Sequence, residues 1–233
     1  MHIPDGYLGP PTWGASWIVC IGLWHVSASK LRKTLDAKLV PLISISAAFS
    51  FIIMMFNIPI PGGTTGHAVG GGLIALVIGP WAASLAVSIA LVIQALLFGD
   101  GGITSIGANC LNMAFVLPFT SYFTYRVLSA FLPTKRSGVK ALAAGISGYM
   151  GLNAAAFTTS LMFGIQPLLH TGPDGHALYA PYSLNVAVST MMLEHLLLFG
   201  FIEGLVTGLV IYSLKKSQVT SEWTMGGFLH EKV

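Results

Sequence analysis

Seven apolar runs separated by short loops, with basic residues gathered after the first, fifth and seventh, constrain this chain more than any other feature. The runs read as Trp13 to Ser29, Val40 to Asn57, His67 to Ile78, Trp81 to Phe98, Ala108 to Phe131, Val139 to Ile165 and Leu184 to Leu214. A helix needs about 20 apolar residues to cross the hydrocarbon core of a bilayer. The third run is short by that standard and rises only about 18 Å at about 1.5 Å per residue. It is expected to tilt, to lie under its neighbours, or to follow a loop that dips into the membrane. The chain is 54% hydrophobic and 8% charged. Soluble domains carry roughly 25% charged residues, so the expected class is an all-α membrane protein with seven transmembrane helices. One integral membrane domain is expected over 1–233.

The basic residues set an expected orientation. Lys30, Arg32, Lys33 and Lys38 follow the first run, Lys135, Arg136 and Lys140 the fifth, and Lys215, Lys216 and Lys232 the seventh. The loops after the second, fourth and sixth runs hold no Lys or Arg. Positive-inside bias then places the amino terminus outside and the carboxyl terminus in the cytoplasm. Arg126, at the basic end of the fifth run, can snorkel to the surface. Residues 1–11 become an extracytoplasmic tail and 217–233 a cytoplasmic one, with Trp223 and Phe228 at the interface. The net charge of +3 is thereby an orientation signal rather than a nucleic-acid footprint. No signal-peptide pattern opens the chain, because residues 1–11 are polar and proline-bearing. Cys20 and Cys110 match no zinc or redox spacing and read as small buried hydrophobes.

Met1-His2 is a chelate that needs no folding. The α-amine, the His2 amide nitrogen and a His2 ring nitrogen close two fused rings around one small divalent ion and leave one planar corner open. A square-planar nitrogen field selects Ni(II) or Cu(II) over oxygen-seeking ions. Pro10-Pro11 breaks the tail from the first helix and frees about ten residues to fold back over the outer mouth. On the same side lies Ile58-Pro-Ile-Pro-Gly-Gly-Thr-Thr-Gly-His67, where His67 is either a fourth nitrogen or a helix-capping residue in a tight turn. A metal-bound imidazole has its other nitrogen held by a neighbour. Candidates are Thr64, Thr65, Gln94, Asn109 and Asn112, each of which has the plainer alternative of holding helices together.

Other polar groups carry weaker signals. Phe98-Gly-Asp-Gly-Gly102 is a glycine-rich turn offering the Asp100 carboxylate, and no Gly-Lys-Ser/Thr follows it, so ATP hydrolysis by this chain is not expected. His170 and His176 flank an outer Gly-Pro-Asp-Gly turn, where a solvated loop is the simpler account than metal collection. Glu194, His195 and Glu203 lie inside the last run, where ionisable groups are costly unless paired. They line a polar interior, pair with Arg126 or meet a partner subunit. Gly200, Gly204 and Gly208 repeat at helical spacing, as do Ala144 with Gly148 and Ser44 with Ala48. Such ridges let membrane helices pack closely, and one of them could dock another membrane protein.

Met-His-Ile-Pro-Asp-Gly at 1–6, Pro61-Gly-Gly-Thr-Thr-Gly-His67 and the stretch from Phe98 through Asn109 to Asn112-Met113 resemble the CbiM/NikM family. The resemblance covers essentially the whole chain. It implies a substrate-binding S component of an energy-coupling-factor (ECF) importer, with a six-helix core plus one extra amino-terminal helix. It implies metal ligation by Met1, His2 and His67, which coincides with the chelate above. Implied partners are a membrane T component, two cytoplasmic ATPases and a small NikN/CbiN-type accessory protein, supplied separately because no fused copy is evident. The setting is the prokaryotic inner membrane, crossed many times, with no organic cofactor and no nucleic acid.

Ni(II) is the preferred substrate because a planar nitrogen field suits it better than high-spin Co(II). Cobalt is the alternative, and copper must be excluded by availability rather than affinity. Two readings from other classes compete. One is an intramembrane metalloenzyme using Glu194, His195 and Glu203. The other is a stand-alone secondary transporter, which usually shows inverted repeats, and no internal repeat is evident.

Overall fold

A computed structural model describes residues 1–32, 39–60, 64–132 and 136–217. Lys33, Lys38, Lys135 and Lys232, with the tail beyond Ser217, lie outside the described residues. Seven helices of two turns or more occur among the described residues: α1 (Pro10–Leu31), α2 (Leu39–Met54), α3 (Gly71–Ile78), α4 (Pro80–Phe98), α5 (106–131), α6 (Ser137–Gly164) and α7 (Leu184–Lys216). Each apolar run has become a helix within a few residues of its expected limits. Two of them, α4 and α7, are both long and apolar enough to cross a bilayer unaided, and α2 is apolar but shorter.

The sequence sets the helix starts. Proline opens α1 and α4, where its missing N–H costs nothing and its fixed φ suits the first turn. Before α4, Gly79 adopts φ 85°, a left-handed turn that suits glycine. Hydroxyls inside apolar helices are satisfied locally, as Ser16 donates to the Thr12 carbonyl and Ser84 to that of Pro80.

Two expectations are corrected. The segment before α3 is a small antiparallel hairpin, β1 (Ile58–Ile60) with β2 (Thr64–Gly66), pairing Ile58 with Gly66 and Ile60 with Thr64. The fold is therefore mostly helical rather than wholly so. The third helix starts at Gly71, not at His67. Residues 67–70 are non-helical because Gly70 takes φ 75° and their amides are held from elsewhere.

The ridges of Gly200, Gly204 and Gly208 and of Ala144 with Gly148 pack the chain against itself, whereas Ser44 and Ala48 are exposed. A Cβ on Gly204 of α7 would stand 2.7 Å from the Gly145 carbonyl oxygen of α6, so neither helix could approach with a larger residue there. The outer surface is apolar: Ile18 and Val19 of α1, Ile45 and Ile52 of α2, Phe123 and Val127 of α5, and Leu205 and Leu209 of α7 are all exposed. Continuous apolar surface on this scale is what lipid covers.

Three helices widen into a π turn: α4 at Gln94–Phe98, α5 at Cys110–Val116 and α7 at His195–Phe199. Such widenings are frequent at functional sites. Here they begin at, or directly after, the polar residues Gln94, Asn109 and His195.

Candidate metal centre

The tail does not lie wholly across the mouth of the bundle: its first three residues are buried inside, while Asp5 and Gly6 stay exposed. Met1 and Ile3 are fully buried, and His2 nearly so. Ile3 is clamped from both sides: its N–H donates to Asn109 Oδ1 at 2.8 Å, and its carbonyl accepts from Asn109 Nδ2 at 3.2 Å and from the Gly102 N–H at 2.8 Å. The Asp5 carboxylate accepts from the N–H groups of Ile103 and Thr104 and from the Thr104 hydroxyl. Burial opposes ionisation of Asp5, yet the bonds from Thr104 and Ile103 hold its pKa below the usual carboxylate value. Further along, the Tyr7 carbonyl accepts from the Ala180 N–H, and the Gly9 N–H donates to Gln166 Oε1. With so many main-chain groups paired, the position of Met1-His2 follows from the socket.

Inside, the His2 ring stacks on that of His67 with centroids 4.6 Å apart and planes 29° from parallel. His2 Nε2 lies 3.2 Å from Gln94 Oε1, and Nδ1 lies 3.4 Å from an oxygen of the half-buried Asp100. With the Gln94 oxygen as acceptor, Nε2 carries the proton and Nδ1 the lone pair, which is the ring nitrogen a terminal chelate uses. His67 is fixed similarly: Nδ1 donates to the Ala68 carbonyl at 3.1 Å, and the buried Nε2 has no protein partner among the described residues. Each imidazole thus offers a lone pair while its other nitrogen is held.

Burial makes these groups neutral. It lowers the Met1 α-amine from 8.0 to about 5, against the opposing pull of Asp100 and Glu194. It lowers His2 to about 3, with the α-amine adding to the effect. The close approach of His2 to Asp100 is therefore not an ion pair at neutral pH. It sets two electron-rich atoms side by side, an arrangement that a cation relieves. Asp100 is raised by burial, partly offset by the α-amine. Among the described residues no group of three or more His, Cys, Asp or Glu side chains is placed to hold a metal. A nitrogen-rich site at this position must therefore draw on the α-amine and main chain.

Met1, His2, His67, Gln94 and Asn109 are brought together. Thr65 stands nearby with a buried hydroxyl that has no partner among the described residues. Thr64 lies in β2, with its side chain outside the described residues. Asn112 is elsewhere: its amide donates to the Met162 sulfur at 3.4 Å, so it joins α5 to α6. His170 packs its ring against Tyr179 and beside Gly9, and His176 is exposed, so neither belongs to the cluster.

The ionisable residues of the last run separate by role. The fully buried Glu203 carboxylate accepts from the N–H groups of Val69, Gly70 and Gly72, at 2.8, 2.8 and 3.1 Å. It caps α3 and ties down the segment that carries His67. His195, also fully buried, donates from Nδ1 to the Met191 carbonyl at 2.8 Å. Their cost inside an apolar helix flags all three in the sequence, but only the structure assigns Glu203 to the amides before α3 and the His195 ring to the Met191 carbonyl and Phe199.

A family model described as "Cobalt uptake substrate-specific transmembrane region" matches residues 2–221. This chain belongs to the CbiM family. A relative from Methanocaldococcus jannaschii, described as a putative metal transport protein, is 46% identical over 93% of this chain and 92% of its own length. The fused nickel transport protein NikMN of Rhodobacter capsulatus is 48% identical over 93% of this chain. This chain spans 62% of that relative's length. A crystal structure described as a transition metal transporter shares the fold with a TM-score of 0.89 and 50% identity, covering 95% of each chain. A truncated transition metal transporter gives 0.88 at 50% identity, covering 93% of this chain and 99% of that one.

Proposed function

We propose that this CbiM-family chain is the substrate-binding S component of an ATP-driven ECF importer for Ni(II), which it captures in a planar all-nitrogen site. The ligands are the Met1 α-amine, the His2 amide and ring nitrogens, and His67 Nε2. One observation carries the reading: the first two residues are buried, with a neutral amine and the His2 ring stacked on His67. A relative named as a nickel transporter, at 48% identity, supports nickel as cargo.

In this reading all seven helices cross the inner membrane, the tail 1–11 faces outside and 217–233 the cytoplasm. A T component and two ATPases drive release of the ion inward, and a NikN/CbiN-type protein assists loading. The fused relatives from Rhodobacter capsulatus and Lactiplantibacillus plantarum, named NikMN and LarMN, suggest that last partner. Cobalt is the second reading, favoured by the family model's description and by relatives named as cobalt transport proteins.

The test is Ni(II) binding by purified protein beginning at Met1, compared with protein carrying one extra residue before it. The insertion leaves every side chain in place but takes the α-amine out of its chelate ring. Loss of binding is expected; unchanged binding would place the ion elsewhere.

A further inference from the structure

An apolar groove runs along the outer face of the bundle between α6 and α7, with a volume of about 810 Å³. Ligand pockets typically occupy about 300–1,000 Å³. Its floor is glycine. A Cβ on Gly145 would stand 3.1 Å from the Gly204 carbonyl oxygen, and one on Gly208 would stand 3.0 Å from that of Ala141. The two backbones nearly touch, and larger exposed side chains stand up as walls, Leu142 and Ile146 from α6 and Leu209 from α7.

The two ends of the groove differ. At one end the Tyr149 ring packs on that of Phe201 with centroids 5.2 Å apart, and the Tyr149 hydroxyl donates to the Leu196 carbonyl at 3.1 Å. At the other end Tyr212 is exposed, and its stripe of α7 continues one turn on to Lys215 and Lys216. Because Gly145 meets Gly204 and Ala141 meets Gly208, the helices run antiparallel, and the start of α6 with Arg136 and Lys140 lies at this same end. No acidic residue occurs in α6, and none in α7 beyond the buried Glu203. The groove thus joins an apolar floor to a cationic end.

Length decides what fits. From Phe201 to Tyr212 the helix rises about 16 Å at 1.5 Å per residue, half of the roughly 30 Å hydrocarbon core. A spanning helix of a partner needs a track across the whole core, whereas an acyl chain needs one leaflet. We infer that this groove binds one anionic phospholipid, an acyl chain lying on the glycine floor and the phosphate meeting Lys215 and Lys216. Basic pockets between membrane helices hold anionic headgroups in this way. Tyr212 stands where chain gives way to headgroup, the level that tyrosine favours.

The experiment exposes the full chain in detergent to phosphatidylglycerol or phosphatidylcholine. It reads retained lipid by native mass spectrometry, together with the thermal unfolding midpoint and the oligomeric state. Expected is one retained phosphatidylglycerol, held about tenfold or more tightly than phosphatidylcholine, with a raised midpoint. Lys215→Gln with Lys216→Gln should remove most of that preference. Lys30→Gln with Arg32→Gln, which takes the same charge from the end of α1, should leave it intact. Ile146→Trp, which fills the groove from its wall, should lose the lipid while keeping the lipid-free midpoint of the parent. Equal retention of both lipids by the parent overturns the inference, as does a preference that survives loss of Lys215 and Lys216. An equal effect of the α1 pair would mean general surface charge and overturn it too. Retention undiminished in Ile146→Trp would place the lipid elsewhere, and a parent dimer that this variant makes monomeric would give the groove to a second copy; either result overturns it.

Discussion

The α-amine of Met1 has a pKa of about 5 in its socket, against 8.0 when free. A lowered pKa means that the undocked tail binds a proton that the docked tail refuses. Docking is then strongest above pH 8 and weakens as pH falls toward 5, below which the amine contributes no further loss. His2 extends the same trend from 6.5 down to about 3. At neutral pH the docked amine is already deprotonated, so Ni(II) capture should release one proton, from the His2 amide, rather than two. Ni(II) affinity, measured by competition with a chelator, should fall about tenfold per pH unit from pH 8 to about 5 and more steeply below. A hundredfold fall per unit near pH 7 would mean that the tail is not held neutral. Asn109→Ala tests the socket without touching a proposed ligand. It removes two hydrogen bonds to Ile3, at about 1 kcal/mol each, and should weaken Ni(II) binding roughly tenfold or more.

Among the elements, α3 and the segment before it depend on Glu203, whose partners are main-chain amides more than 130 residues earlier. Glu203→Ala leaves three buried N–H groups unmet, a cost of about 3 kcal/mol or more. The thermal unfolding midpoint of the apo protein should drop, and Ni(II) and Co(II) affinity should fall together because His67 loses its support. An unchanged midpoint would show that the carboxylate is not the anchor of this segment. The cost of a buried glutamate is legible in the sequence, but its partners are not, because backbone amides carry no residue identity. The π turns are hidden for a related reason. One extra residue in a turn leaves the apolar composition untouched while rotating everything after it.

On the scale of the molecule, the helices were legible because each is an apolar run bounded by proline, glycine or charge, and His67 because it ends a glycine-rich loop. How deep the tail sits was not legible, because its sockets on Asn109, Gln166 and Ala180 come from distant segments. The crossing of α6 is the most exposed part of the proposed topology. Its many Gly, Ala, Ser and Thr residues suit close packing against α7 but dilute its hydropathy, so it does not count among the two helices apolar enough to span alone. Arg136 and Asp174 are both exposed and lie on either side of it in sequence. Cys20 and Cys110 are buried and should give little background to thiol labelling. In intact cells a membrane-impermeant thiol reagent should therefore modify Asp174→Cys and spare Arg136→Cys, and inside-out vesicles should reverse the pattern. Labelling of both sites from one face would remove α6 as a span. Labelling of position 136 alone from outside would invert the molecule and set the Met1-His2 tail on the cytoplasmic side, where it could not capture an ion for import.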